Sequence, residues 1–252
     1  MFARLMAGVL LALLTPATPV HAQANGSADG PRPGYLLVMG TPTNLEAIGR
    51  YARTLPPIYQ KFGGVYLAAG GVGRGITVLE GEFAAQSIIF AKFPSLERPN
   101  EFWWSPEYRA SVRLREGAGR FDVIKLPGMP GNMPAPAGKP APISKPAYLI
   151  SIAEVEDRAK LQPYAAAALP LVRAAGASFV AVGSRKDIEA LEGDFGNLNV
   201  TILQFPSMAA LRTFYDDPAY RQIIPLRQSA GTYTVLAVEG YEPRSASPAP
   251  GP

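Results

Sequence analysis

Two carboxylates, Glu80 and Glu192, sit at the centre of the same tripeptide, Leu-Glu-Gly, 112 residues apart, each at the end of an apolar run. A carboxylate partly withdrawn from water in such a position has its pKa raised toward the range of a general base, able to take a proton from a carbon acid or a phenol. The competing reading is a strand end whose carboxylate is exposed or paired with an arginine. Arg115 and Arg227 recur at the same interval. Each offers a planar fork to a carboxylate or enolate, or an internal ion pair to Glu80 or Glu192. Tyr51 and Tyr164 lie on apolar helical stripes, where a phenol orients a ligand or stays in the core with its hydroxyl at the edge. Trp103, in the run Phe102-Trp103-Trp104, lines either a pocket or an interface. The glycine-rich run from Gly70 to Gly75 differs from a phosphate loop because a strand, not a helix, follows it. It reads as a flexible turn, with Arg74 its one candidate ligand contact.

What is missing narrows the chemistry further. The 252 residues include no cysteine and a single histidine, His21. Nucleophilic triads, tetrahedral zinc sites, histidine-ligated haem and iron–sulfur clusters therefore lack their usual ligands in the rest of the chain. No cofactor and no metal are expected, and any catalysis must use Asp, Glu, Tyr, Lys, Arg or backbone groups. The chain's net charge is +4, of which positions 33–127, with eleven basic and eight acidic residues, carry about +3 and positions 146–241, with eight basic and ten acidic, about −2, the rest lying outside the two copies. That balance is too small and too mixed for a nucleic-acid footprint.

The elements that must position these residues come in two sets. Phe93-Pro94-Ser95 returns as Phe205-Pro206-Ser207 and Pro106-x-Tyr108 as Pro218-x-Tyr220, so one domain is present twice, over 33–127 and 146–241. Between them, 128–145 is a Pro/Gly-rich linker, and 242–252 is a disordered tail by composition. At the start, Arg4, the apolar run Leu5 to Leu14 and Val20-His21-Ala22 predict a signal peptide over 1–22, cleaved near Ala22, and a periplasmic or secreted protein. The apolar run is shorter than the roughly 18 residues of a membrane span.

In the first copy, Tyr35 to Gly40 reads as a strand and Asn44 as the N-cap of a helix stopped by Gly63-Gly64. Strands follow at Val65 to Ala69, Ile76 to Glu80 and Ser87 to Phe93. A helix runs from Ser95 to about Glu116 with a break near Pro106, and Phe121 to Leu126 is the last strand. The second copy repeats the order, with a helix over about 157–175. The fold class is α+β: two ferredoxin-like βαββαβ repeats, each with one bare sheet face, pairing into an intramolecular α/β-barrel.

The phrases Tyr51…Gly63-Gly64…Leu79-Glu80-Gly81…Ile88-Ile89-Phe90…Phe93-Pro94-Ser95…Ser105-Pro106-Glu107-Tyr108…Arg115 resemble the DUF1330 family of the dimeric α/β-barrel superfamily. Tyr164, Leu191-Glu192-Gly193, Phe205-Pro206-Ser207, Asp217-Pro218-Ala219-Tyr220 and Arg227-Gln228 match in the second copy. The resemblance implies a dimer-like barrel with a pocket between sheet and helices. The wider superfamily includes muconolactone isomerases, cofactor-independent monooxygenases and haem-handling enzymes. Gly176-Ala177 stands where the first copy has Gly63-Gly64, and Arg185-Lys186-Asp187 replaces its glycine-rich turn, which favours the first copy as the working one. The resulting expectation is a small-molecule protein with isomerase or monooxygenase-like acid/base chemistry, Glu80 as base and Arg115 as anion stabiliser. Tyr51, Trp103, Arg74, Tyr164, Glu192 and Arg227 complete its ligand-binding set. The alternative is a periplasmic binding or interaction module without chemistry. Either way the partners expected are a small molecule and the other copy, in a monomer or weak homodimer.

Overall fold

The first strand, β1 (Gly34–Pro42), alternates its side chains between two apolar surroundings. Tyr35, Leu37 and Met39 point into a core shared by both copies, whereas Leu36 and Val38 meet the helices of their own copy. That two-faced burial explains why the strand reads as a nearly continuous apolar run. The computed structural model describes residues 32–129 and 145–241. The signal segment 1–22, linker residues 130–144 and the tail 242–252 lie outside the described residues.

After β1, Asn44 caps helix α1 (Leu45–Lys61) by accepting from the Ala47 amide at 3.1 Å. Gly63, at φ +69°, ends it, with the Gly64 amide donating back to the Tyr59 carbonyl at 2.8 Å. Then come β2 (Val65–Val72), β3 (Gly75–Glu80) and β4 (Ser87–Phe93). The second helical stretch is divided as Pro106 predicts. Ser105, extended ahead of the proline, separates α2 (Arg98–Trp104) from α3 (Pro106–Val112), and its hydroxyl caps α3 at the Tyr108 amide. A 3₁₀ turn, Arg113–Arg115, leads into β5 (Gly119–Pro127).

The second copy supplies β6 (Ala147–Val155), α4 (Leu161–Ala174), β7 (Ser178–Gly183), β8 (Glu189–Glu192), β9 (Asn199–Phe205), α5 (Met208–Asp216), α6 (Pro218–Gln228) and β10 (Gly231–Glu239). Helix α4 starts at Leu161 rather than near Asp157. The Asp157 carboxylate accepts from the Ala159 amide at 3.0 Å, which holds a turn ahead of the helix.

The ten strands form one sheet in the order β7-β9-β6-β10-β3-β2-β4-β1-β5-β8. Each copy keeps an antiparallel four-stranded unit and gives one strand to the other. β3 pairs with β10 of the second copy (Leu236 opposite Val78), and β8 pairs with β5 of the first (Ile124 opposite Ala190). The ends of this order are drawn together by a bridge between Gly128, just after β5, and Ala181 of β7, and a second bridge, between Ala68 of β2 and Gly240 just after β10, closes across β3. Inside this barrel Tyr35, Leu37, Phe90 and Ile124 face Tyr148, Ile150, Ile202 and Leu236 in one continuous apolar core. Two further cores lie between each sheet and its helices.

Candidate functional site

The repeated Leu-Glu-Gly is the end of the exchanged strand, and each of its residues acts on the opposite copy. Leu79 packs into the core of the second copy and Leu191 into that of the first. Glu80 accepts from Arg227, from the Tyr215 hydroxyl and, at 3.0 Å, from Gln228 Nε2. Glu192 receives Arg115 as a fork, Nη1 at 2.7 Å and Nη2 at 2.6 Å. Gly81 and Gly193, at φ +70° and +78°, pass against the Tyr233 carbonyl and against Asp122 with the Phe121 carbonyl, where a Cβ would collide.

This crossing decides between the pairings that the sequence left open. Glu80 takes Arg227 and Glu192 takes Arg115, so Glu80 and Arg115 are each engaged by a residue of the second copy. Burial tends to raise the Glu80 pKa, but the hydrogen bond from Arg227, supported by Tyr215 and Gln228, outweighs it and holds the carboxyl below its ordinary value. A carboxylate so held is a weaker base than a free one, contrary to the raised pKa expected of Glu80.

The two arginines are buried, Arg115 to 5% exposure and Arg227 to 3%. Aromatic rings replace part of their lost hydration. The Arg115 guanidinium lies 4.4 Å from the Phe121 ring centroid and 5.2 Å from that of Tyr51, and Arg227 lies 4.8 Å from Tyr233 and 5.8 Å from Tyr164. Tyr51 and Tyr164 each share a hydroxyl–hydroxyl bond with a helix tyrosine, Tyr51 with Tyr108 at 2.9 Å and Tyr164 with Tyr220 at 3.0 Å. The duplicated tyrosine, arginine and glutamate positions thus form two related clusters.

The clusters differ in what they leave over. Arg115 gives both terminal nitrogens to Glu192. Arg227 gives Nη2 to Glu80, while its Nη1 is buried without a hydrogen-bond partner, as is the Tyr233 hydroxyl. Both residues line a cavity of about 320 Å³ between the second copy's sheet and α4. Its walls include Leu149, Leu161, Ala168, Val172 and Val235, with Tyr164 and Tyr220 beside Arg227. Pro127, the last residue of β5, and Met129, two residues on, are also among its lining residues.

The cavity therefore lies in the second copy, the one expected to be structural. Side-chain volume is the reason. Where the second copy has Ala168, Val172 and Ala175, the first has Leu55, Tyr59 and Phe62. Tyr59 packs 4.4 Å from Tyr66 and 4.6 Å from Phe102 between ring centroids, and Phe62 lies 6.1 Å from Phe102. Trp103 is core, 1% exposed and 4.9 Å from the Tyr108 ring. Arg74 is exposed in the β2–β3 turn and is not among the cavity's lining residues. Of the sequence candidates, Tyr164 and Arg227 line the cavity, whereas Tyr51, Trp103, Arg115 and Glu192 belong to the first copy's cluster. Sequence reasoning missed Tyr233, Tyr215 and Tyr220. The usable signal was the internal alignment, in which Tyr233 replaces Phe121 and Val172 replaces Tyr59.

One sheet closed so that the halves from the two copies face each other, with helices outside and a ligand-sized space between sheet and helix, defines a dimeric α/β-barrel protein, here made from one chain. The chain belongs to the DUF1330 family, described as a domain of unknown function, which it matches twice, over residues 33–129 and 146–241. It is similar in structure to an anthrone oxidase-like protein, with a TM-score of 0.51 at 14% identity over 86% of this chain and 94% of that one. A variant of chlorite dismutase from Candidatus Nitrospira defluvii gives a TM-score of 0.46 at 10% identity, over 83% and 92% of the two chains. A protein of unknown function from Rhodopseudomonas palustris gives 0.33 at 22%, over 38% and 81%. No curated protein matches the sequence.

Proposed function

We propose that this protein binds a small organic molecule in the cavity of its second copy, and that the first copy is the scaffold completing the barrel. The observation that carries this reading is a mostly apolar space of about 320 Å³ between sheet and helix, walled by Leu149, Val172 and Val235, with the Arg227, Tyr164 and Tyr233 side chains among its lining. Cavities of this size and character, mostly apolar with a few convergent polar groups, are the usual form of small-molecule sites.

The lining supports binding more than acid/base turnover. Its one carboxylate, Asp187, already accepts from the Ser184 amide at 3.1 Å and from the Ser184 hydroxyl at 2.6 Å. Tyr164 and Tyr233 have pKa values raised, chiefly by burial, so both stay protonated near neutral pH. The site offers donors and no free base.

Replacing Val172 by Tyr, the residue the first copy carries at the matching position, tests the reading. In a thermal-shift screen of aromatic acids, phenols, lactones and ketones, the parent should be stabilised by at least one class and Val172→Tyr by none. Equal shifts in both proteins would remove the cavity from consideration. The N-terminal pattern supports export as part of the same proposal. Intact mass of the exported protein should begin at Gln23, and a cytoplasmic protein retaining Met1 would refute it.

A further inference from the structure

We infer that the cavity takes a neutral ring compound carrying a hydroxyl or carbonyl oxygen, and that the Ser151 and Thr201 hydroxyls on its sheet wall bind that oxygen; this rests on the binding reading above. Three properties of the lining lead to that class.

The first is access. Ser151 of β6 and Thr201 of β9 stand directly opposite each other, in one row across the sheet with Val235 of β10 and Val182 of β7, and all four line the cavity. Their neighbours along the strands, Ile150, Ile152, Val200 and Ile202, are buried in the barrel core, so strand alternation turns Ser151 and Thr201 to the opposite face, toward the helices. Both residues are half-buried, and their hydroxyls, hydrogen-bonded to no described residue, keep accessible surface. β6 and β9 each have a strand on either side and the barrel core behind, so that surface opens on the cavity.

The second is the contrast between the copies. The matching row of the first copy is Val123, Val38, Ile89 and Ala69, apolar throughout. Hydroxyls thus stand in place of Val38 and Ile89 in the copy that keeps the cavity. Directly opposed side chains on neighbouring strands have their Cβ atoms about 5 Å apart, which puts one ligand oxygen within reach of both hydroxyls. A carbonyl oxygen accepts from the two of them, and a ligand hydroxyl accepts from one and donates to the other.

The third is that the charged groups of the lining are already engaged. Arg227 is held by Glu80 and Asp187 by Ser184, while Arg158 donates to the Asn199 side-chain oxygen at 3.3 Å and Arg32 to the Gly128 carbonyl at 2.9 Å. Tyr164 and Tyr220 bond each other, and the Tyr233 hydroxyl is closed off by its neighbours. Ser151 and Thr201 are thus the lining side chains that combine open polar surface with no hydrogen bond. A neutral oxygen leaves water for such a pair at far lower cost than a charged group. An apolar cavity of roughly 150 Å³ accommodates one benzene ring, so two fused rings suit a space of about 320 Å³.

Equilibrium dialysis of the full chain at pH 7 with 2-naphthol, 2-acetylnaphthalene and the hydrocarbon 2-methylnaphthalene tests the class. The variant Ser151→Ala/Thr201→Val removes both hydroxyls at nearly unchanged side-chain size. It should bind 2-naphthol or 2-acetylnaphthalene about fivefold more weakly than the parent for each hydrogen bond lost, and 2-methylnaphthalene as tightly or more tightly. The compound that loses more identifies the preferred oxygen. The parent should bind 2-naphthoate, charged at this pH, more weakly than 2-naphthol, and Val172→Tyr should abolish binding of all four compounds. Unchanged affinity of both oxygen compounds in the double variant, equal weakening with the hydrocarbon, or tighter binding of 2-naphthoate than of 2-naphthol overturns the neutral-oxygen assignment while leaving the cavity reading intact. Binding that survives Val172→Tyr, or no binding of any compound to the parent, overturns the cavity reading itself.

Discussion

Glu80 and Arg227 come from different copies, and their partnership decides what each residue does. Arg227 is 3% exposed, so removing its counter-charge strands a cation in the core. Glu80→Gln should destabilise the protein by about 3 kcal/mol in urea denaturation at pH 7. Glu192→Gln strands the equally buried Arg115 and should cost somewhat less, about 2 kcal/mol, because the Glu192 side chain is 31% exposed against 14% for Glu80 and water can reach the site. The same pair predicts an acid limb. A carboxylate whose pKa is lowered in the folded state contributes stability above its ordinary value, near 4.3, and loses it as the pH falls through the lower folded value. Between pH 6 and pH 3 the parent should therefore lose more stability than Glu80→Gln, and equal losses would show that the ion pair contributes nothing. The residue types of this cluster were legible in the sequence, but the crossed pairing was not. Glu80 with Arg115 and Glu80 with Arg227 are equally consistent with the spacing.

At the scale of elements, the exchanged strands β3 and β8 explain a motif that sequence alone describes only as a repeated phrase. Leu-Glu-Gly places an apolar side chain in the other copy's core, a carboxylate on its arginine, and a glycine against its backbone. Gly81 combines a positive φ with a collision at the Tyr233 carbonyl, whereas Gly117, also at φ +70°, has open space where a Cβ would stand. Gly81→Ala should cost about 2 kcal/mol or more, and Gly117→Ala about 1 kcal/mol. If chemical denaturation gives equal costs, the close approach at Gly81 is not a constraint. Helix α1 was readable from its cap and stripe, and the break at Ser105 from the proline that follows. The start of α4 was not, because a turn held by Asp157 competes with the helix for the same residues.

For the whole molecule, the shared core makes the two copies one folding unit. Phe90, Ile124, Ile150 and Leu236 are fully buried only because the opposite sheet covers them. Unfolding should therefore be a single transition. Both tryptophans, Trp103 and Trp104, lie in the first copy, so tryptophan fluorescence follows that copy while circular dichroism follows both. The two signals should give coincident urea midpoints, and separated midpoints would mean that the copies fold independently. Residues 33–127 expressed alone should self-associate or unfold, since they expose the barrel face.

By itself, the sequence determined the duplication, the order of strands and helices, the barrel implied by two half-covered sheets, and the residue types of the two clusters. These follow from local periodicity, caps, turns and a repeat visible by inspection. Only the tertiary structure decided which glutamate meets which arginine, and which copy keeps a cavity. Pairing depends on where an exchanged strand ends relative to a helix more than a hundred residues away. A cavity depends on the volume left after every neighbouring side chain has packed, so Tyr59 closes the space in one copy and Val172 leaves it open in the other.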